Sequence, residues 1–142
     1  MGFSSTFQND ILKLIFNASP IANVADNAAA SPLTNLYIAL HTANPGTTPA
    51  QTTSEAAYTG YARSPEPRTS GSWTVTGNSV SNTTEISFPI ATGGSETEQY
   101  ASVGQAASGA GKIIIAGALS PTIVVASGVT PVLTLASTIT VT

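Results

Sequence analysis

His41 is the only histidine in the sequence and the first side chain to consider as a general base or a metal ligand. A zinc site needs several imidazole, thiolate or carboxylate ligands, and the sequence contains no cysteine. His41 ends a predicted strand, on the face opposite Leu36, Ile38 and Leu40. The sequence therefore favours a strand-end histidine that bonds a loop carbonyl over a catalytic or metal-binding histidine.

Glu96 and Glu98 are separated by one residue, so both carboxylates would lie on one side of a strand. Such a pair could bind calcium or supply the acid and base of a glycosidase. The segment lacks the Asp and carbonyl pattern of a calcium loop, and nothing around it indicates a sugar cleft. We therefore predict that both glutamates lie on a solvated edge where a loop enters a strand.

The glycine-rich stretch that ends at Lys112 is similar in composition to a phosphate-binding loop. The first glycine of that motif would fall at Ala106, and Lys112 is followed by Ile113 instead of serine or threonine. The flanking segments are both predicted strands, whereas the motif lies between a strand and a helix. This stretch is predicted to be a hairpin turn, with Lys112 protecting an apolar strand from edge aggregation.

Other signatures of catalysis are missing from the sequence. There is no Gly-x-Ser-x-Gly nucleophile motif. The sequence predicts no catalytic residue, no cofactor and no metal site. The few large aromatic residues could stack on a saccharide, although Trp73 at the start of a strand is predicted to fill the core. These aromatic residues are Trp73, Tyr58, Tyr61 and Tyr100.

An amphipathic helix is predicted near the N-terminus. Ser5 and Gln8 have the spacing of a capping box at its start, and the residue before Pro20 avoids the helical conformation. The apolar residues of its stripe recur at helical spacing. They are Phe3, Phe7, Ile11, Leu14 and Ile15.

From Leu33 onward the apolar residues alternate with polar ones, which indicates strands. Short strands separated by Gly, Pro and Asn turns predict an all-β, antiparallel, jelly-roll-like β-sandwich with one short N-terminal helix. The predicted domains are 1–32, the helix and a connecting arm, and 33–142, the sandwich. The predicted strands are Leu36–His41, Tyr58–Arg63, Ser72–Val75, Glu85–Phe88, Glu98–Val103, Lys112–Leu119, Thr122–Val125, Val132–Leu135 and Thr138–Val141. The strands expected to be most buried are Leu36–Leu40, Ile86–Phe88, Ile113–Ile115 and Val132–Leu135.

The chain carries few charges: 8% of its residues are charged, and its net charge is −3. An ordinary soluble domain has about 25% charged residues, and charge normally keeps soluble proteins apart. We therefore predict self-association, with a homodimer preferred over a trimer. The four scattered basic residues cannot replace phosphate counterions, so nucleic acid is not a predicted partner. Prolines and glycines interrupt the uncharged C-terminal stretch, so no membrane span is predicted.

Several segments, in this order, resemble a family of small virion proteins from tailed bacteriophages. They are the helix that runs into Asn9-Asp-Ile-Leu12, the stretch Leu36–Gly46, Gly60-Tyr-Ala-Arg63, Trp73, Ile86-Ser-Phe-Pro89 and Ala91-Thr-Gly93. Members are often described as tail-fibre-like, and some are similar to jelly-roll cement proteins that decorate capsids. The stretch Ala101–Gly104 departs from the more aromatic strand of the family, so no binding site is transferred by position.

The resemblance implies a capsid cement or decoration protein that bridges major capsid protein subunits without catalysis. Such a protein is made in the bacterial cytoplasm and lies on the outer surface of the capsid. The alternative that it implies is a tail fibre or another tail component. Low charge independently favours a protein that packs against copies of itself or a large partner. The apolar helix residues Phe3, Phe7 and Ile11 are the predicted intersubunit contact.

Overall fold

The computed structural model describes residues 2–27, 31–47, 50–135 and 138–140. These residues form one helix and nine strands, and every strand pairing with a resolved register is antiparallel. The predicted all-β antiparallel fold with one short N-terminal helix is confirmed, and the architecture is consistent with a β-sandwich. The elements are α1 (Ser5–Asn17), β1 (Asn35–His41), β2 (Ser64–Pro67), β3 (Trp73–Thr76), β4 (Ser79–Asn82), β5 (Ile86–Ser87), β6 (Ser95–Gly104), β7 (Ile113–Ala126), β8 (Val132–Leu133) and β9 (Thr138–Thr140).

The helix α1 begins one residue earlier than the predicted capping box implies. Ser4 is the N-cap, and its hydroxyl oxygen accepts a hydrogen bond from the Phe7 N–H at 3.3 Å. At the other end, the Ser19 N–H donates to the Lys13 carbonyl at 3.1 Å. Such bonds satisfy backbone groups that the helix itself leaves unpaired.

The chain forms two compact units. The first unit combines residues 1–35, 67–85 and 134–142 and contains α1 with the sheet β3-β4-β9. Within it, the Phe16 ring packs edge-on against Trp73 with centroids 4.9 Å apart. Both side chains are buried, so the prediction that Trp73 fills a core is confirmed.

Within this first unit, Arg68 binds the C-terminal end of helix α1. Its guanidinium donates to the carbonyl oxygens of Ile15, Leu14 and Leu33 at 2.6, 2.7 and 2.8 Å. Helix C-terminal carbonyls have no intrahelical donor and carry partial negative charge, so a cation stabilises them.

The second unit combines residues 36–66 and 86–133 and contains the sheet β2-β1-β6-β7 and the pair β5-β8. The central strand β1 is its most buried element, as predicted. Ile86, Phe88 and Leu133 are buried as well. The prediction is wrong for Ile113–Ile115, which are only half-buried because β7 lies at the edge of its sheet. It is also wrong for Leu135, which is 54% exposed.

Four strand predictions differ from the structure. Tyr58–Arg63 is not a strand and contributes one isolated bridge, at Thr59. Pro65–Pro67, predicted as a turn, belongs to the edge strand β2, where prolines are tolerated because an edge strand needs no outward N–H donor. Strand β4 was not predicted, and the two strands predicted between Lys112 and Val125 are one strand, β7.

The domain division at residues 1–32 and 33–142 and the jelly-roll strand connectivity stay predictions. No helix in the described part of the chain is long and apolar enough to span a membrane.

Candidate functional site

The loop between β6 and β7, residues 105–111, is an exposed and uncharged feature of the second unit. Its residues are Gln, Ala, Ser and Gly, and Gln105 and residues 107–110 are exposed. Loops that a rigid scaffold positions commonly carry binding function. Below we call residues 105–111 the β6–β7 loop.

The buried side chain of Arg63 forms hydrogen bonds with the backbone of this loop. Its Nη1 donates to the Ala106 carbonyl and its Nη2 to the Gly109 carbonyl, each at 2.8 Å. The guanidinium also forms a two-point ion pair with Glu55, with Nε···Oε1 at 2.6 Å and Nη2···Oε2 at 2.8 Å. The hydrogen bond to Glu55 raises the pKa of Arg63, so the cation persists although its side chain is buried. A planar guanidinium suits this role because it offers several donors in a fixed geometry.

Gln51 also forms hydrogen bonds with the backbone of this loop. Its side chain is fully buried, and its Oε1 accepts the Ala106 N–H at 2.9 Å. Its backbone N–H donates to the Gly111 carbonyl at 2.8 Å. A Cβ at either Gly104 or Gly111 would overlap the Gln51 side chain, so glycine is needed at both positions for close approach. Together, Gln51 and Arg63 fix the loop in one conformation, which lowers the entropy cost of a contact made through it.

His41 lies in the same unit and is fully buried. Its Nδ1 lies 2.8 Å from the Thr53 carbonyl, which only accepts, so we assign the ring proton to Nδ1. The other nitrogen, Nε2, then accepts a hydrogen bond from the Ser102 hydroxyl at 2.7 Å. The prediction of a strand-end histidine bonded to a loop carbonyl is confirmed, while the serine partner was not predicted.

A Ser–His hydrogen bond is the arrangement that activates a serine nucleophile. Here, Ser102 is 2% exposed and His41 is 0% exposed, so the hydroxyl lies out of reach of a substrate in this conformation. Burial lowers the pKa of His41, which keeps the ring neutral. The pair therefore links β1, β6 and the Thr53 segment as a structural hydrogen-bond network.

The predicted solvated position is wrong for Glu98. Its side chain is fully buried, and no described group donates a hydrogen bond to either carboxyl oxygen. Glu96 is half-buried, and its Oε1 accepts the N–H groups of Ala57 and Tyr58 at 2.9 and 2.8 Å. Burial, with the neighbouring Glu96 as a further cause, raises the pKa of Glu98 to about 8. Glu98 is therefore protonated at neutral pH, which avoids the cost of a buried unpaired charge.

The described residues contain no cluster of three or more His, Cys, Asp or Glu side chains that could hold a metal ion. Of the aromatic residues that could stack on a sugar, Trp73 and Tyr58 are each 3% exposed and are core residues. The Tyr58 hydroxyl donates to the Pro89 carbonyl at 3.0 Å. These two rings therefore have no free face for a saccharide.

Of the predicted contact residues, Phe7 and Ile11 lie in α1, whereas Phe3 precedes the first helical residue, Ser5. Phe3 is 60% exposed, and its ring lies 5.4 Å from that of Phe7, centroid to centroid. Phe7 and Ile11 are half-buried, whereas the buried residues of the helix are Leu12 and Phe16. Their role in an intersubunit contact stays a prediction.

Comparison with known protein families gives a match that extends over residues 2–142. The matching family is described as Podophage GP4 fiber I protein gp80. The chain belongs to this family. It is thus a member of a family of bacteriophage structural proteins, as the resemblance in the sequence implied. A search of curated proteins gives no match.

The residues that shape the β6–β7 loop were not identified from sequence. Arg63 entered the sequence analysis as a basic residue, as the end of a predicted strand and in a family-like segment, but without a role in this loop, and Gln51 and Glu55 had no predicted role. One signal was available, because glycines at both ends of a hairpin turn can indicate that a side chain approaches the backbone. That signal does not say which side chain approaches.

Proposed function

We propose that this protein is a non-enzymatic structural subunit of a phage virion and that it forms part of a fibre. The observation that carries the proposal is the match of residues 2–142 to a family described as a podophage fiber protein. The proposal applies to both compact units, since the matched range extends over both of them.

The surface chemistry supports a structural contact role. The β6–β7 loop is exposed, uncharged and held in place by Arg63 and Gln51. A contact made from Ser, Ala and Gly avoids burying an unpaired charge. Such a contact should depend weakly on salt, because screening acts on charges.

Capsid cement is the second candidate function. The observation that favours it is compactness, since α1, the one helix of the described residues, spans only 13 residues and each unit is compact. This architecture suits a subunit that decorates a shell. In this case the partner is the major capsid protein, bound on the outer surface of the capsid at the boundaries between subunits.

The amount of this protein in purified virions tests the two candidates. Quantitative mass spectrometry should measure its copies relative to the major capsid protein. The fibre proposal expects a small fraction of the capsid protein copies. A copy number comparable with that of the capsid protein would contradict the fibre proposal and favour cement.

A pair of loop variants tests the contact surface separately. Ser108→Asp places a charge on the exposed β6–β7 loop, whereas Ser70→Asp places one on an exposed residue of the first unit. Ser108→Asp should reduce incorporation into virions, because a charge buried in a neutral contact has no partner. Equal incorporation of the two variants would contradict a contact through the loop.

A further inference from the structure

Strand β7 is the last strand in the sheet order β2-β1-β6-β7, so one of its edges pairs with no named strand among the described residues. Immediately before β7, Lys112 forms an isolated bridge with Ala50. Strand β7 is also long, at 14 residues from Ile113 to Ala126. An unpaired strand edge offers N–H and C=O groups that another strand can bind. Natural sheets normally protect such an edge with charges, prolines or irregularities.

The opposite edge of the same sheet is protected, and so is the second half of β7. Edge strand β2 contains two prolines and a glutamate, in the sequence Ser64-Pro-Glu-Pro67. The second half of β7 contains Pro121 and lies beyond a register shift opposite Glu98–Tyr100. The first half, Ile113–Ala118, has neither a charge nor a proline. It has one register shift, between Ile113 and Ile115, and its register with Tyr100–Val103 is continuous over Ile115–Ala118. We call Ile113–Ala118 the open edge.

The chemistry of this edge restricts its partner. Ala116, Gly117 and Ala118 are exposed and small, so another backbone can approach closely. A shallow depression of about 300 Å³ adjoins the open edge, and its other walls include Asn44, Gly46, Thr47 and Tyr100. None of the side chains in these walls carries a charge at neutral pH, so a charged partner strand would gain no ion pair here. A neutral strand of the same kind fits without an electrostatic penalty.

Lys112, immediately before the open edge, decides the direction of pairing. In a parallel pair of two copies, the two Lys112 ammonium groups would lie side by side and repel. In an antiparallel pair they lie at opposite ends of the paired segment. A two-fold axis through the pair also makes the contact isologous, which is the commonest closed arrangement of homo-oligomers.

We propose that a second copy of this chain binds the open edge, with the two Ile113–Ala118 segments antiparallel about a two-fold axis at Ala116. Ala116 then faces Ala116 of the second copy, and Ala118 faces Ile114. The proposal concerns self-association and holds for a fibre subunit and for a shell subunit alike. This backbone contact is additional to the intersubunit contact predicted from sequence for Phe3, Phe7 and Ile11.

Single cysteines test this geometry cleanly, because the chain has no native cysteine. Ala116→Cys would place two thiols at the spacing of directly opposed residues, within reach of a disulfide. Ala118→Cys is the matched control, since the same substitution at another exposed alanine would place its thiols about 13 Å apart along the paired strands. Val124→Cys, on an exposed residue in the protected half of β7, measures random collision.

Each purified variant should be oxidised at equal concentration and the disulfide-linked dimer followed on a non-reducing gel. Dimer should form at least about tenfold faster with Ala116→Cys than with either control, because only there do the thiols meet the disulfide geometry. Equal rates for Ala116→Cys and Ala118→Cys would indicate parallel pairing and overturn the proposal. A rate for Ala116→Cys no higher than that for Val124→Cys would overturn it as well. Circular dichroism that matches the unmodified protein establishes that each variant is folded.

Discussion

Replacing Glu98 with glutamine should remove a pH-dependent loss of stability from the second unit. Burial raises the pKa of Glu98 to about 8, against an ordinary glutamate value near 4.5 in the unfolded chain. Below the unfolded value the carboxyl is protonated in both states. Between the two values only the unfolded chain releases the proton, so stability falls as the pH rises, and above about 8 it levels off.

The size of this effect follows from the two pKa values. At about 1.4 kcal/mol per pKa unit, the interval from 4.5 to about 8 sets an upper limit of about 5 kcal/mol. A side chain that turns toward water when it ionises loses less, so we expect about 2 to 4 kcal/mol between pH values of about 5 and about 8.5. Glutamine has nearly the same shape and does not ionise in this range.

Urea unfolding of both proteins across this pH range measures the effect. The free energy of unfolding of Glu98→Gln relative to the unmodified protein should rise with pH by the expected amount. Glu85→Gln, at an exposed residue, is the matched control and should show no comparable rise. A constant difference between Glu98→Gln and the unmodified protein at all pH values would refute the assignment of a protonated buried carboxyl.

Three further substitutions test the loop, its glycines and the helix. Arg63→Lys keeps the charge but loses the two-point pair and the loop bonds, so we expect a loss of about 3 kcal/mol in unfolding free energy and faster proteolysis within residues 105–111. Gly104→Ala should displace the buried Gln51 side chain and lower the melting temperature. Gly117→Ala, which has open space at its Cβ position, should not lower it. Equal melting temperatures for the two variants would contradict the close approach of Gln51 to Gly104. Phe7→Asp should reduce assembly while circular dichroism stays unchanged; intact assembly would place the Phe7 side chain outside any contact.

Strand β1 and the helix were predictable because each carries a local period of apolar residues that its own stretch of sequence displays. The alternation of Leu36, Ile38 and Leu40 fixes which side chains face the core. The same logic failed at Glu98, whose polarity suggested solvent, because burial there depends on residues distant in sequence. Strand β2 was missed because Pro65 and Pro67 are turn residues in most contexts and are tolerated here only at a sheet edge.

The candidate site was less predictable than the fold. The roles of Arg63, Glu55 and Gln51 depend on contacts across separations of eight to 55 residues, such as the bond from the Ala106 N–H to Gln51. No local period encodes such contacts. The low charge of the chain predicted a neutral surface for contacts, but not which segment would provide it; Ile113–Ala118, which has no charged residue, lies in β7.

The claim that this chain is a fibre component of a phage virion is tested most directly by locating it on intact particles. Antibody fragments against the purified protein should be bound to virions and imaged by electron microscopy. We expect label confined to fibres that project from the particle. Label spread evenly over the head would contradict the fibre assignment, and the absence of label from intact and opened particles alike would contradict a structural role in the virion.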